Sequence, residues 1–429
     1  MHIGVVLAIV FIVSVLIGVP IAVAIGLASF VGLLLNGIPL GYIAKTAYTA
    51  VDSFSLIAIP MFILAGAIME RGGLTRRLID FSTALVGPAT GGLATVTVVA
   101  CTLFAAISGS GPATTAAIGS ILIPAMIRDK YDREFAGGIA ACSGGIGVVI
   151  PPSILMIMYG ITAEESITGL FVAGVFPGLL LATFLILAVL VVSKTRGYRS
   201  RTEKRSLKNI LKATNNAKWA LLAPVVILGG IYGGIFTVTE ASIVAVLYAV
   251  IVGFLVYREL DLKRFFDALI YMAHVSGTLM IVVVTGRIFG RLLTIFQIPQ
   301  SVSRLLVTSI HSPIALVLLI DLLLLFIGMW MESITQIIIL TPLLLPAVVK
   351  LGIHPIQFGV MFTIACEIGY ETPPLGVNLF VASELANTTI EKISKEAVIF
   401  AVAEIAALVL VSLIPQISLF IPQLLGYVN

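Results

Sequence analysis

Apolar residues dominate long blocks of this chain, divided by short charged stretches, and several blocks are themselves interrupted by glycine and proline. Blocks 3–35, 51–69, 169–193, 219–236, 241–257, 265–286 and 398–422 read as membrane-spanning helices. The first holds Gly18 and Pro20 and is long enough to cross with tilt. Block 104–124, FAAISGSGPATTAAIGSILIP, is cut at Ser108, Gly109, Ser110, Gly111 and Pro112. Glycine and proline there free backbone groups that a helix would bond internally, which is costly away from water. The flanking arms, 93–107 and 113–127, are each about 22 Å long at ~1.5 Å per residue, short of the ~30 Å hydrocarbon core. They predict a re-entrant helical hairpin. A broken span follows at 135–160, cut at SGGIGVVIPPS (143–153).

Displacing the chain by 222 positions superimposes the second half on the first. Pro124 falls on Pro346, Gly147 on Gly369, and Pro151 and Pro152 on Pro373 and Pro374. Ser110 falls on Glu332 in a second tip, GMWMESITQ, within a second hairpin at 313–350, and 358–382 becomes a second broken span. The expected fold is an all-α polytopic membrane protein built from two repeats, each a re-entrant hairpin plus a broken transmembrane helix. Paired interruptions of this kind point to a solute site near the bilayer midplane.

Composition and charge sharpen this. With 59% hydrophobic and 11% charged residues the 429-residue chain cannot be a water-soluble globule. Segment 194–218 is the longest polar stretch and the one candidate linker, with nine Lys or Arg, and is expected to be cytoplasmic. Alternation from that loop puts 20 of the 25 Lys and Arg on the same side, and makes the two hairpins enter from opposite faces. The repeats are therefore expected to be inverted. A net charge of +4 with loop-localised basic residues gives no sign of nucleic acid binding. Cys101, Cys142 and Cys366 lack CxxC spacing and read as packing residues. The first apolar run has no basic n-region or cleavage site, so it reads as a retained helix with a cytoplasmic N-terminus.

Candidate chemistry sits at the interruptions. Ser108 and Ser110 offer hydroxyls, and the break around Gly147 frees carbonyls, a hard oxygen set suited to a small cation such as sodium. Gly328, Gly369, Thr372 and the Leu375 carbonyl form the matching set. Helix starts at 112–115 and 333–336 would present N–H groups to an anion, with Thr114, Thr115, Thr335 and Gln336 adding polar bonds. Glu332, Glu367, Glu371 and Asp321 are acids inside apolar runs, functional candidates because burial is expensive. His274, the one mid-membrane histidine, reads as a satisfied core residue. No HExxH, P-loop or Ser-His relay supports an enzyme or an ATP-driven pump.

SGSGPATTAAIGSILIPAM, IGVVIPPS, GIYGGIFTVTEASIVAVLYAVIVGFLVYREL and EIGYETPPLGVNLFVAS resemble the large membrane subunit of tripartite ATP-independent periplasmic (TRAP) transporters, over essentially the whole chain. The resemblance implies an elevator-type secondary transporter in the bacterial inner membrane that takes up an organic anion with sodium and needs no other cofactor. It implies scaffold helices at 1–87, mobile halves at 88–168 and 313–387, scaffold and arm helices at 169–312, and a C-terminal scaffold helix at 388–429. One sodium site would use Ser108, Ser110, Gly147, Ile150 and Pro152; the other Gly328, Gly369, Thr372 and Leu375. Solute contacts would come from Ser110, Thr114, Thr115, Glu332, Thr335 and Gln336. A separate four-helix membrane subunit and a periplasmic binding protein would be partners. A C4-dicarboxylate fits the motifs better than sialic acid; the rival is a binding-protein-independent divalent-anion/sodium symporter.

Overall fold

The computed structural model describes residues 3–198 and 206–428, so part of the expected linker, 199–205, lies outside the described residues. Every regular element among the described residues is helical. In chain order these are α1 (Ile3–Leu16), α2 (Ile21–Leu35), α3 (Gly41–Val51), α4 (Ala58–Arg71), α5 (Leu74–Val86), α6 (Gly92–Ser108), α7 (Gly111–Arg128), α8 (Arg133–Gly145), α9 (Ile154–Ala163) and α10 (Ile167–Arg196). They continue as α11 (Leu207–Tyr232), α12 (Val238–Ile251), α13 (Leu262–Ile295), α14 (Ile298–Ser309), α15 (Pro313–Gly328), α16 (Ser333–Lys350), α17 (Pro355–Tyr370), α18 (Val377–Ala386), α19 (Ile390–Leu413) and α20 (Pro415–Leu424). Among the described residues, six helices, counting the 3-10 turn that leads into α4 and the π turn after α12, are long and apolar enough to cross a membrane.

The internal repeat survives as structure. Helices α6, α7, α8 and α9 begin at 92, 111, 133 and 154, and α15 to α18 begin at 313, 333, 355 and 377, offsets of 221, 222, 222 and 223. Each second arm stays helical through its internal prolines, Pro124 in α7 and Pro342 and Pro346 in α16, and the arms of the first hairpin run slightly past the expected 93–107 and 113–127. α16 by itself has the length and composition of a span.

Several expectations change. Residues 3–35 are not one tilted span: Gly18, at φ +85°, and Pro20 reverse the chain, and α1 packs back on α2. A Cβ on Gly32 would lie 2.7 Å from the Leu7 side chain, so the pair closes tightly and docks on α13 through Phe289 and Leu293. The last span divides at Ile414 into α19 and α20, because Pro415 cannot continue a helix without losing a bond. Residues 207–218 of the expected linker belong to α11. His274 is exposed on α13, a long apolar helix with little of its surface covered.

Two packed regions hold the repeats together. In one, α4, α6, α9 and α17 meet around Phe62, Phe104, Tyr159 and Phe362, and the Tyr159 hydroxyl donates to the Pro355 carbonyl at 2.8 Å. In the other, α7 and α8 pack with α18, α10 and α19 around Phe135, Leu185, Leu379 and Phe400. The FTVTEA segment has a local cause. Thr237 N-caps α12 and Glu240 returns the bond to the Thr237 N–H at 2.8 Å, a reciprocal capping box.

Candidate functional site

The first hairpin tip is built for close approach. Gly109 ends α6 at φ +63°, and a Cβ there would sit 2.7 Å from the Pro152 carbonyl oxygen, so glycine alone lets the tip reach the first break. The Ile154 N–H then donates to the Gly109 carbonyl at 3.3 Å. Ser108 Oγ and Thr114 Oγ1 lie 2.6 Å apart, and Thr114 donates to the Ser110 carbonyl at 2.8 Å. Gly147 backs onto the same group, where a Cβ would lie 2.9 Å from the Ser110 oxygen. Ser153 caps α9, accepting from the Met156 N–H at 3.2 Å and donating to the Val148 carbonyl. The structure thus brings Ser108, Ser110, Thr114, Gly147 and Pro152 together. The Ile150 side chain instead packs on Gly178 of α10. Thr115 turns toward Gly144 of α8, buried and without a hydrogen-bond partner.

At the second tip Gly328 and Gly369 touch backbone to backbone. A Cβ on Gly328 would meet the Gly369 Cα at 2.8 Å, and one on Gly369 would meet the Gly328 Cα at 2.6 Å. The Leu375 N–H donates to the Met329 carbonyl at 3.0 Å, tying break to tip. Thr372 lies at the end of α17, its hydroxyl bonded to the Ile368 carbonyl at 2.7 Å. Both breaks contain cis Pro-Pro bonds, Pro151-Pro152 and Pro373-Pro374.

The two helix starts differ. Ser110 and Glu332 occupy the same N-cap position one repeat apart. Glu332 accepts from the Ile334 and Thr335 N–H groups at 3.1 and 3.0 Å and from the Thr335 hydroxyl, so that end is already occupied by a carboxylate. Gln336 is also engaged, donating to the Met331 carbonyl at 3.0 Å and accepting from Cys366. The expectation of free N–H groups at 334 and 335 therefore does not hold. At α7 no side chain caps the start. A cavity of about 40 Å³ opens against this uncapped end, lined by Gly66, Glu70, Ser108, Ser110, Ala113 and Tyr271 among others. Sequence reading did not single out Glu70 or Tyr271, which α4 and α13 bring to the cavity from outside the repeat motif.

Behind the second break lies a buried polar cluster. Asn378 Nδ2 donates to Glu367 Oε1 at 3.1 Å and to Glu371 Oε1 at 3.0 Å. A ligand atom from each of Cys142, Glu371 and Glu404 lies within 4.8 Å of the other two. Gly111 and Gly145 leave room for the Glu367 and Glu371 carboxylates, which any side chain at those positions would displace. Asn378 and Glu404 also escaped sequence reading; an acid and an amide inside apolar runs were the available signal.

The fold and the doubled broken-helix site define a polytopic helical membrane transporter. The Alcanivorax borkumensis YdaH transporter shares this fold, with a TM-score of 0.64 at 13% identity over 87% of this chain and 88% of that one. More specifically, the chain belongs to the family described as "Tripartite ATP-independent periplasmic transporter, DctM component", matching it over residues 8–417. Among its relatives, the isethionate TRAP transporter permease protein DctMQ of Oleidesulfovibrio alaskensis is 44% identical over 94% of this chain. The chain spans 64% of the length of that relative. The C4-dicarboxylate TRAP transporter large permease protein DctM of Rhodobacter capsulatus is 38% identical over 95% of this chain and 96% of its own length. The sialic acid large permease SiaM of Vibrio cholerae is 36% identical over 92% of each. These relatives are permeases, and the chain is a transporter component, not an enzyme.

Proposed function

We propose that the chain is the large membrane subunit of a sodium-coupled importer of a small organic anion, working with a small membrane subunit and a periplasmic binding protein in the inner membrane. The observation that carries this is the first tip. Hydroxyl and carbonyl oxygens of Ser108, Ser110 and Thr114 converge on the Gly147–Pro152 break beside an uncapped helix start and a cavity. Hydroxyl and carbonyl oxygens suit sodium, and the helix start suits the anion. Ser108, Ser110, Gly147, Ile150 and Pro152 would serve one ion; Gly328, Gly369, Thr372 and Leu375 the other. Ser110 and Thr114 would face the anion at the first tip, and Thr115, now turned toward Gly144, would do so only after reorienting. Glu332, Thr335 and Gln336 would do so at the second only after giving up their present bonds. The repeats would be inverted, with 88–168 and 313–387 moving as an elevator and the basic loop cytoplasmic.

For the anion, a C4-dicarboxylate is the leading candidate and sialic acid the second. The higher identity to an isethionate permease adds a sulfonate to the panel. Uptake into proteoliposomes under an inward sodium gradient, with both membrane subunits and each candidate-loaded binding protein, tests this. Uptake requiring sodium and binding protein supports the reading. Uptake by the membrane proteins alone would favour a self-sufficient symporter, and no sodium dependence would sink the coupling.

A further inference from the structure

Asp321 stands apart from both tips. It lies midway along α15 on the face that carries buried Leu316, Val317, Ile320, Leu324 and Gly328, while Leu322 and Phe326 on the opposite face are exposed. Its residue is 3% exposed, and neither carboxylate oxygen has a hydrogen-bond partner. α15 packs on α16, α17 and α19. Ser412 of α19, a helix that packs on α15, is likewise buried, with a hydroxyl that has no hydrogen-bond partner. Ser412 is held in place because Gln357 of α17 donates to its carbonyl at 3.0 Å. The other acids on the packed helices are engaged elsewhere: Glu367, Glu371 and Glu404 lie in the cluster around Asn378 and Cys142, and Glu332 caps α16. No ion pair to Asp321 occurs among the described residues.

An ionised carboxylate cannot persist in such surroundings without a counter-charge. Two kinds of cation would supply one. A metal ion needs a shell of oxygens that two carboxylate atoms and one hydroxyl do not complete. A proton needs only one acceptor, and Ser412 Oγ offers it. We propose that Asp321 is a proton-binding site of the membrane domain, held as the carboxylic acid with its O–H directed to Ser412 Oγ, and that transport requires this form. One proton is bound and no covalent or redox step is involved. The site lies away from the residues proposed for sodium and gives the permease a second cation, the proton, to which its cycle answers.

The proposal rests on the chain acting as an uptake permease, and two readouts keep the two readings separable. The first is sodium-driven uptake in proteoliposomes with equal pH on both sides, comparing wild type with Asp321→Asn, a permanent mimic of the acid. Wild-type uptake is expected to fall on the alkaline side by about tenfold per pH unit beyond its midpoint, the limit for one proton. Asp321→Asn should retain uptake and lack that limb, and Ser412→Ala should move the limb along the pH axis. The second readout needs no transport: the infrared difference spectrum of wild type minus Asp321→Asn should show the carbonyl stretch of a buried carboxylic acid at pH 7. An unchanged limb in an active Asp321→Asn protein, or a difference spectrum showing only ionised carboxylate, overturns the proposal. Absence of uptake in wild type counts against the transporter reading, while the spectrum still decides Asp321.

Discussion

Gly369→Ala is the sharpest perturbation of the site. The added Cβ would lie 2.6 Å from the Gly328 Cα, 2.9 Å from its carbonyl carbon and 3.0 Å from the Leu325 oxygen, all backbone atoms. No side chain can rotate away, so α15 and α17 must separate by a good part of 1 Å to restore ordinary contact. Forcing a methyl into a well-packed contact costs about 1–3 kcal/mol. That cost falls on states in which the second tip sits against its break, as in the Gly328–Gly369 contact and the Leu375 to Met329 bond. If sodium is bound in that closed arrangement, its apparent affinity should drop by about 5- to 150-fold, the equivalent of that energy. The assay is the sodium dependence of uptake in proteoliposomes, with the thermal midpoint in detergent measured alongside. Gly290→Ala is the control, because a Cβ there meets nothing within 4 Å. A Gly369→Ala protein that folds and shows wild-type sodium dependence would refute the idea that this backbone contact is part of an ion site.

Other outcomes follow from the same geometry. Ser108→Ala removes the 2.6 Å bond to Thr114; a net loss of about 0.5–1.5 kcal/mol should raise half-saturating sodium by roughly two- to tenfold. Asn378→Ala takes away the donor between Glu367 and Glu371. It should destabilise by about 1–3 kcal/mol, read as a lower thermal midpoint, and an unchanged midpoint would mean the amide bridges nothing of consequence. Thr237→Ala breaks the capping box of α12; it should lower the thermal midpoint slightly and leave sodium dependence untouched, since Thr237 neither lines the first-tip cavity nor takes part in the Gly328–Gly369 contact.

Much of the fold was legible because the signals were local. Gly109, Pro112 and the two Pro-Pro pairs mark breaks wherever they stand, since each alters the backbone of its own segment. The repeat was visible because such residues recur at a fixed spacing. Where a local signal allowed two outcomes, reading failed. Gly18 and Pro20 are compatible with a kinked span or a reversal, and the choice went to reversal because Leu7 packs on Gly32. His274 is polar in an apolar run, which says nothing about the side of α13 it occupies.

By itself the sequence determined that this is a polytopic helical membrane protein, duplicated, with interruptions at matched places. Those properties follow from hydrophobic length and backbone chemistry, which each segment has alone. Tertiary structure decided which interruptions meet and how each is satisfied. It set Gly109 against Pro152 and Gly328 against Gly369, left the start of α7 uncapped beside a cavity, and gave the start of α16 to Glu332. It also gathered Glu367, Glu371, Asn378 and Glu404 from three helices and left the side chains of Asp321 and Ser412 buried without hydrogen-bond partners. The reason is physical: burial in a packed interior obliges each polar group to find a partner in space, and that partner is fixed by helix packing, not by nearness along the chain.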